Sequence, residues 1–169
     1  ENSIQTRDPD DLIPHPRNDE IYDDEAEDWF VESIETQGVL EPVVVTPDSH
    51  CHGTDNEVII SGHRRTDAAK KAGLDKIPIR LEEYDSALEE REAFIEYNKQ
   101  REKTFSQKMR EADELIEIET ERARKRMQKG GEGKQEFGDL SKGQVLDIVA
   151  ERFDRSGEWL RQAQKIWEY

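Results

Sequence analysis

Two adjacent arginines follow a glycine where an apolar run gives way to a polar segment. Residues 58–61 have the β-branched composition of a strand, Gly62 permits a tight turn, and residues 64–72 favour a helix. A helix start presents free N–H groups to an anion, and neighbouring guanidinium groups add planar pairs of donors that suit phosphate oxygens. This stretch therefore predicts a polyphosphate site. Its residues are Ser61, Gly62, His63, Arg64 and Arg65.

The sequence His50-Cys51-His52 has the composition of a metal-binding cluster. Neighbouring residues on a strand or loop point in different directions, and no second Cys or His group lies nearby in the sequence. We therefore expect no metal ligand from the protein here. Cys51 is the only cysteine, which excludes an internal disulfide and is consistent with a cytosolic location.

Acidic residues outnumber basic ones by 41 to 25, which gives a formal net charge of -16. The excess lies in residues 1–100, which carry 10 basic and 26 acidic side chains, whereas residues 101–169 carry 15 of each. Such acidity argues against a nucleic-acid partner, because phosphate binding relies on lysine and arginine. Because basic and acidic residues are equal in number in residues 101–169, this part of the chain is still compatible with DNA binding.

The acidic residues are spread over predicted helices and loops. This spread favours a halophilic protein over an acidic mesophilic protein with a charged interaction face. In molar salt the Debye length is about 3 Å, so repulsion between such a protein and DNA is largely screened. The chain has no apolar run long enough for a membrane span and no signal-peptide pattern, and we expect a cytoplasmic protein with no membrane partner. Because it begins with glutamate, we also expect a fragment or a processed form of a longer chain.

Local patterns predict a mixed first part. Residues 1–23 are an extended segment with a short strand, and a helix over residues 25–37 ends at Gly38. Ser86 and Glu89 form a capping-box pattern for a helix that ends near residue 97. The predicted strands are 43–45, 58–61 and 77–81, with a polar hairpin loop at 47–56 and a proline in the last strand that implies an edge or a bulge. The fold class is therefore α/β of the α+β type, a small mixed sheet with helices.

The second part of the chain is predicted to be helical. A long helix covers residues 106–128, a Gly/Lys/Glu linker covers 129–138, and two helices at 142–153 and 158–169 flank a tight turn. We divide the chain into a first domain at 1–104, a linking helix with a flexible linker at 105–138, and a terminal helical segment at 139–169.

The terminal helices resemble a helix-turn-helix, with a plain helical hairpin as the alternative. The first helix has an apolar face of Val145, Ile148 and Val149, and the core candidates of the second helix are Trp159, Leu160 and Ile166. Arginine and glutamine read base edges well, and serine at a helix start suits a phosphate contact. The predicted DNA-binding residues are Arg155, Ser156, Arg161, Gln162, Gln164 and Lys165.

Several motifs, in this order along the chain, resemble those of ParB-like proteins in the ParB/sulfiredoxin superfamily. The sequence Gly62-His63-Arg64-Arg65 resembles the GERR-type box that contacts the triphosphate of CTP, with histidine in place of the usual glutamate. Residues 38–45 resemble the box near the base or ribose, residues 98–102 resemble the ENxQRE box near phosphates and magnesium, and residues 14–18 resemble the segment that folds over the nucleotide. The resemblance thus implies further nucleotide contacts at Arg17, Asn18, Gly38, Pro42, Asn98, Gln100, Arg101 and Glu102.

This resemblance implies a CTP-responsive DNA clamp in chromosome or plasmid partition, or a related regulator. The implied cofactor is CTP or another nucleoside triphosphate with Mg²⁺. The implied partners are DNA, a second copy of the chain and a partition ATPase, at the nucleoid or on a plasmid. Tyr97 occupies the place of the glutamate that relatives use for hydrolysis, so the chain is at most a weak CTPase.

Three enzyme classes that share this fold remain as alternatives. A free-serine kinase usually has Asp before the Gly-His pair, where this chain has Ser61. A nuclease needs a metal-binding carboxylate group, and the acidic residues here are too dispersed to nominate one. A sulfiredoxin would have its reactive cysteine inside the Gly-His-Arg turn, whereas Cys51 lies well upstream.

Overall fold

The computed structural model of the protein describes residues 4–23, 25–129 and 142–167. These residues belong to two compact units, with the boundary between Arg101 and Glu102. Apart from residue 129, the predicted linker at 129–138 lies outside the described residues.

The first unit is built on a five-stranded mixed sheet with the strand order β1-β5-β3-β4-β2. Strand β1 runs antiparallel to β5, β5 runs parallel to β3, β3 runs antiparallel to β4, and β4 runs parallel to β2. The central strand β3 is buried along its whole length, as its run of valines and threonine requires. The strands are β1 (Ile4–Arg7), β2 (Ile13–Pro14), β3 (Val43–Thr46), β4 (Val58–Ser61) and β5 (Ile77–Leu81).

Four helices surround this sheet, and local sequence sets their ends. Helix α2 stops at Gly38, whose φ of +73° suits glycine. The hydroxyl of Ser86 accepts the N–H of Glu89 at 3.3 Å and begins α4, while the Glu89 carboxylate accepts the N–H of Asp85 and not that of Ser86. The helices are α1 (Pro16–Ile21), α2 (Asp28–Gln37), α3 (His63–Lys71) and α4 (Ala87–Tyr97).

One apolar cluster of the first unit lies between the sheet and helices α2 and α3. Ala68 and Ala69 of α3 are fully buried, and their small side chains let that helix approach the strands closely. Branched residues of the strands complete the apolar cluster, whose removal from water stabilises the fold. The buried cluster contains Leu12, Ala26, Ile34, Val43, Val45, Ile59, Ala68, Ala69, Ile77 and Ile79.

The second unit consists of α5 (Phe105–Lys129), α6 (Lys142–Glu151) and α7 (Gly157–Trp167), which pack against one another. Among the helices of the described ranges, none combines the length and the apolarity that crossing a lipid bilayer requires. Buried side chains from all three helices form the core of this unit. They include Met109, Ala112, Leu115, Ile118, Val145, Leu146, Val149, Ala150, Leu160 and Ala163.

Most predicted elements are confirmed, with corrections at particular residues. Helix α1 was not predicted, because prolines on both sides of His15 favoured an extended segment, yet Pro16 occupies the first helical position and His15 accepts the N–H of Arg17. The helix predicted from residue 25 begins at Asp28. The proline in β5 does not mark an edge, since β1 pairs with that strand on its outer side.

The predicted apolar faces of the terminal helices were wrong at two positions. Ile148 is 38% exposed and Ile166 is 68% exposed. Leu146 and Ala163 are buried instead, because the buried face of each helix is rotated relative to the predicted one. The first of these helices also ends earlier than predicted, at residue 151, and the last two residues of the second predicted helix, 168 and 169, lie outside the described residues.

Candidate functional site

The first unit contains a cavity of about 490 Å³ beside the start of α3. The cavity lies where α2, its following loop, α3 and the end of α4 meet. Eight of the predicted nucleotide contacts line it: Gly38, Ser61, Gly62, His63, Arg64, Arg65, Asn98 and Arg101. Seven lining residues were not predicted as contacts: Phe30, Ser33, Ile34, Gln37, Leu40, Glu41 and Tyr97.

Gly62 forms the turn that begins α3. Its φ of +106° is disfavoured for residues with a side chain, and a Cβ placed there would lie 3.0 Å from Cγ2 of Val43. The first helical bond runs from the N–H of Thr66 to the carbonyl of Gly62, at 2.9 Å. As in any helix, the N–H groups of the first turn have no helical acceptors. Gly62 has no side chain that could cap them, so they are available to an anion.

Arg65 joins α3 to the loop that precedes β3. Its Nη1 donates to the carbonyl oxygens of Glu41 and Pro42, at 2.8 and 3.2 Å. Burial lowers the pKa of the Arg65 guanidinium, and the Glu41 carboxylate opposes that shift. Arg65 therefore places a positive charge at the cavity while holding the loop in position, and Pro42 contributes a carbonyl acceptor and not a lining surface.

Arg64 lies at the other side of the helix start. Its Nη2 donates to the carboxylate of Glu27, and its guanidinium lies 5.2 Å from the ring centroid of Phe30. The pKa of Glu27 is lowered by a backbone hydrogen bond and by the contact with Arg64. Because both partners of this ion pair are partly exposed, it contributes little stability.

The end of α4 supplies Asn98 and the nearby Arg101. The Asn98 amide donates to the carbonyl of Phe94 at 2.8 Å, and the Arg101 guanidinium lies 4.8 Å from the ring centroid of Tyr22. These contacts orient both side chains beside the cavity. They add an amide and a third guanidinium to its wall.

Tyr97 belongs to a polar network at the edge of the cavity. Its hydroxyl donates to Glu82 Oε1 at 2.7 Å and accepts from Arg80 Nη2 at 2.8 Å. Burial and the hydrogen bond to Glu82 raise the pKa of Tyr97. The phenol is therefore protonated at neutral pH and does not act as a general base.

His63 points its ring away from solvent, towards α1 and α4. Its Nε2 accepts the backbone N–H of His15 at 3.1 Å, and its ring meets Phe94 edge-on at 5.9 Å. Burial lowers the pKa of His63 to about 3, so the ring is neutral. Its observed contacts hold the segment before α1 against the start of α3.

Five predicted nucleotide contacts do not line the cavity: Arg17, Asn18, Pro42, Gln100 and Glu102. Arg17 donates to Glu20, and the carbonyl of Asn18 accepts the N–H of Tyr22 inside α1. Gln100 is exposed, and Glu102 falls in the second unit.

The unpredicted lining residues come mainly from one face of α2. Phe30, Ser33, Ile34 and Gln37 follow helical spacing and lead directly to Gly38. The sequence does not distinguish these roles for Phe30 and Ile34, because an apolar helical stripe has the same pattern whether it meets a sheet or a ligand. One feature of the sequence could have identified these lining residues. The apolar stripe of α2 leads directly to Gly38, the first residue of the 38–45 motif.

In the second unit, a short turn with Asp154 at a φ of +53° joins α6 to α7. Gly157 allows the close approach of the two helices, since a Cβ there would lie 1.8 Å from Oδ1 of Asp147. Ser156, a predicted DNA contact, accepts the N–H of Trp159 at 3.2 Å and so begins α7.

The other predicted DNA contacts lie on or next to α7. Arg161 and Gln162 both donate to the carboxylate of Glu158, each at 3.1 Å. Gln164 donates to Asp113 at 3.3 Å, which ties α7 to α5. Lys165 is exposed, and the guanidinium of Arg155 lies over the Trp159 ring.

Comparisons with known proteins agree on one family. A model of the ParB N-terminal domain matches residues 1–98. The chromosome-partitioning protein ParB of Mycobacterium leprae is 42% identical over 79 residues, which cover 46% of this chain and 23% of that protein. The ParB of Pseudomonas putida is 36% identical over 134 residues, which cover 79% of this chain and 38% of that protein. The chain thus spans less than two fifths of the length of either relative.

A solved structure of a Pnob8-like ParB-N domain has a similar fold. It has a TM-score of 0.57 at 15% sequence identity, and the match covers 95% of this chain and 67% of that one. At this level of identity, the likeness supports the mixed α/β fold alone.

Proposed function

The chain belongs to the ParB N-terminal domain family, and we propose that it is the nucleotide-binding and DNA-binding part of a ParB-type partition protein. In this proposal, the cavity of the first unit takes CTP or another nucleoside triphosphate. One observation carries it: Arg64 and Arg65 line the same cavity as the uncapped start of α3. That combination of free N–H groups and guanidinium groups suits a chain of phosphates.

The triphosphate would replace Glu27 as the partner of Arg64. The protein carries a net charge of -16, so an anion binds only where local positive charge is concentrated. Arg64, Arg65, Arg101 and the N–H groups of α3 supply that concentration. Mg²⁺ would be held by the phosphates, beside the amide of Asn98.

The other end of the cavity suits a base and a ribose. Phe30, Ile34 and Leu40 offer apolar surface, and Ser33 and Gln37 offer hydroxyl and amide groups for hydrogen bonding. Such a mixture of apolar walls and a few polar groups is typical of small-molecule sites. The apolar face of α2 therefore supports a nucleotide over inorganic polyphosphate.

For the second unit we propose DNA binding through α6 and α7. The support is the short turn between these helices, together with Arg161, Gln162 and Lys165 on α7. Arginine and glutamine fit base edges in the major groove, and lysine fits phosphate. A second copy of the chain and a partition ATPase are further partners that the family suggests, at the nucleoid or on a plasmid.

The enzyme alternatives have less support. The relatives described above are partition proteins, which does not favour a kinase or a nuclease. The neutral phenol of Tyr97 also fits binding better than rapid hydrolysis. We therefore propose a nucleotide-responsive clamp with weak or no CTPase activity.

The test is isothermal titration calorimetry with CTP, ATP, GTP and UTP in the presence of Mg²⁺ at high salt. Arg64→Ala should weaken binding by about tenfold or more, because it removes charged hydrogen bonds to phosphate. Glu27→Gln should tighten binding by about two- to fivefold, because it removes the competing carboxylate.

Arg7→Ala is the matched control. Arg7 also forms an ion pair, with Glu57 at 2.9 Å, but it does not line the cavity, so its loss should leave nucleotide affinity unchanged. Arg65 is a poorer probe, since it also bonds two backbone carbonyls. Equal affinity in the wild type and Arg64→Ala would refute the assignment of the site, and so would the absence of binding to all four nucleotides.

A further inference from the structure

A second group of chemically active side chains lies in the first unit, outside the lining of the cavity. His15 precedes α1, Cys51 is on the loop between β3 and β4, and Glu90 is on α4. One donor atom from each residue, an imidazole nitrogen, the Cys51 sulfur and a carboxylate oxygen, lies within 4.8 Å of the other two. The fold thus brings nitrogen, sulfur and oxygen donors together from three distant parts of the sequence.

The His15 ring provides an independent sign of a missing ligand. The residue is 1% exposed, and its Nε2 is buried without a hydrogen-bond partner among the described residues. That nitrogen points into the group, 3.5 Å from Oε1 of Glu90, which is itself fully buried. Buried polar atoms without partners are rare, and each calls for an explanation such as an ion.

We propose that His15, Cys51 and Glu90 bind a zinc ion. Zinc accepts a mixed set of imidazole, thiolate and carboxylate ligands and prefers tetrahedral geometry. A thiolate and a carboxylate together balance its two positive charges, which a buried site requires. The proposal is independent of nucleotide binding, since none of the three residues lines the cavity.

The surroundings hold the ligands in position. Ser49 Oγ donates to Glu90 Oε1 at 2.5 Å, and the N–H of His50 donates to Glu90 Oε2 at 2.6 Å. These bonds orient the carboxylate and keep the loop that carries Cys51 against α4. Ligands of tetrahedral zinc lie roughly 3.3–3.8 Å apart, so the loop must move inward by about 1.5 Å at most.

His52 is a candidate for the fourth position. It lies on the same loop as Cys51, and its Nδ1 is also buried without a hydrogen-bond partner among the described residues. A water molecule would fill this position if His52 does not reach the ion. Either outcome is compatible with three ligands from the protein.

Zinc binding moves two protons. Cys51 loses its thiol proton to solvent when the sulfur binds the ion. His15 Nδ1 accepts the N–H of Arg17 at 3.1 Å, so the ring proton resides on Nε2. When zinc binds Nε2, the imidazole adopts the tautomer with its proton on Nδ1. The N–H of Arg17 then loses its acceptor.

In the first experiment, the full chain is freed of metal with a chelator and then titrated with zinc in a calorimeter. The wild type should bind one zinc ion, and Cys51→Ser should weaken binding by about a hundredfold or more. Asp55→Asn is the control, because it removes an exposed carboxylate from the same loop and should leave the affinity unchanged.

The second experiment uses Co²⁺ as a spectroscopic probe of the wild-type protein. A thiolate ligand to cobalt produces a sulfur-to-metal charge-transfer band, and Cys51 is the only cysteine in the chain, so this band identifies its ligation without any variant. Hydrogen exchange at the Arg17 amide should also become faster when zinc is bound. No zinc binding, no charge-transfer band, or equal zinc affinity in the wild type, Cys51→Ser and Asp55→Asn would overturn the proposal.

Discussion

Replacing Gly62 with alanine is expected to destabilise the first unit by about 2–5 kcal/mol. A φ of +106° places a side-chain residue in a disfavoured region, at a cost of roughly 1–2 kcal/mol. The new Cβ would also lie 3.0 and 3.3 Å from the two γ-carbons of Val43, and forcing such a contact in a packed core costs about 1–3 kcal/mol. The two costs add, because one arises in the backbone and the other in packing.

Gly73→Ala separates the two costs. Gly73 has a φ of +70°, and a Cβ there would meet nothing within 4 Å, so only the backbone cost of about 1–2 kcal/mol applies. Val43→Ala tests the packing cost, because it removes both of the atoms that crowd the new methyl group. We expect Gly62→Ala with Val43→Ala to be less destabilised than the sum of the single variants, by about 1–2 kcal/mol.

The assay is urea unfolding monitored by the hydrogen exchange of the β3 and β4 segments. Because both strands belong to the first unit, this signal reports on that unit alone. Gly62→Ala should also weaken nucleotide binding more than Gly73→Ala, because it shifts the N–H groups at the start of α3. Equal destabilisation by Gly62→Ala and Gly73→Ala, with no coupling to Val43→Ala, would show that the reasoning about close approach is wrong.

Three further predictions concern other residues. CTP turnover should be slow or undetectable in a phosphate-release assay, because the neutral Tyr97 supplies no general base, whose share is roughly 10²–10⁴-fold in rate; turnover at the rate of a metabolic kinase would contradict this. Arg161→Ala should weaken binding to a selected duplex by about 1–3 kcal/mol and relax sequence preference, whereas Lys165→Ala should weaken all duplexes alike, as measured by fluorescence anisotropy. Lys103→Met should destabilise the second unit by about 3–5 kcal/mol in urea unfolding, because it leaves the buried Glu111 carboxylate without the ammonium group now 3.0 Å away; a loss below 1 kcal/mol would show that other contacts neutralise Glu111.

Features set by neighbouring residues were predictable from the sequence. The stop of α2 at Gly38, the start of α4 at Ser86 and the buried strand at 43–45 all follow from local chemistry. The helix start after Gly62 was predictable for the same reason, since a glycine between a strand pattern and a helix pattern indicates a tight turn.

Features set by tertiary contacts were not predictable in this way. The sequence around Cys51 contains no second group of metal ligands and therefore argued against a metal site. The potential co-ligands lie far away in the sequence, with His15 just before α1 and Glu90 on α4. The apolar stripe of α2 gives no local sign of a ligand, although Phe30 and Ile34 line the cavity. The rotation of α6 that exposes Ile148 depends on how the helix packs on its neighbours, which no single helical pattern specifies.

The ion pair between Arg64 and Glu27 has a consequence for how salt acts on this protein. For an arginine open to solvent, added salt only weakens the attraction to phosphate. Here salt also weakens the internal pair that phosphate must displace, so the two effects partly cancel. Nucleotide affinity should therefore decline less steeply with ionic strength than the number of cationic contacts suggests, and Glu27→Gln should restore the steeper decline. An acidic side chain that lowers affinity in dilute buffer would then preserve binding in concentrated salt.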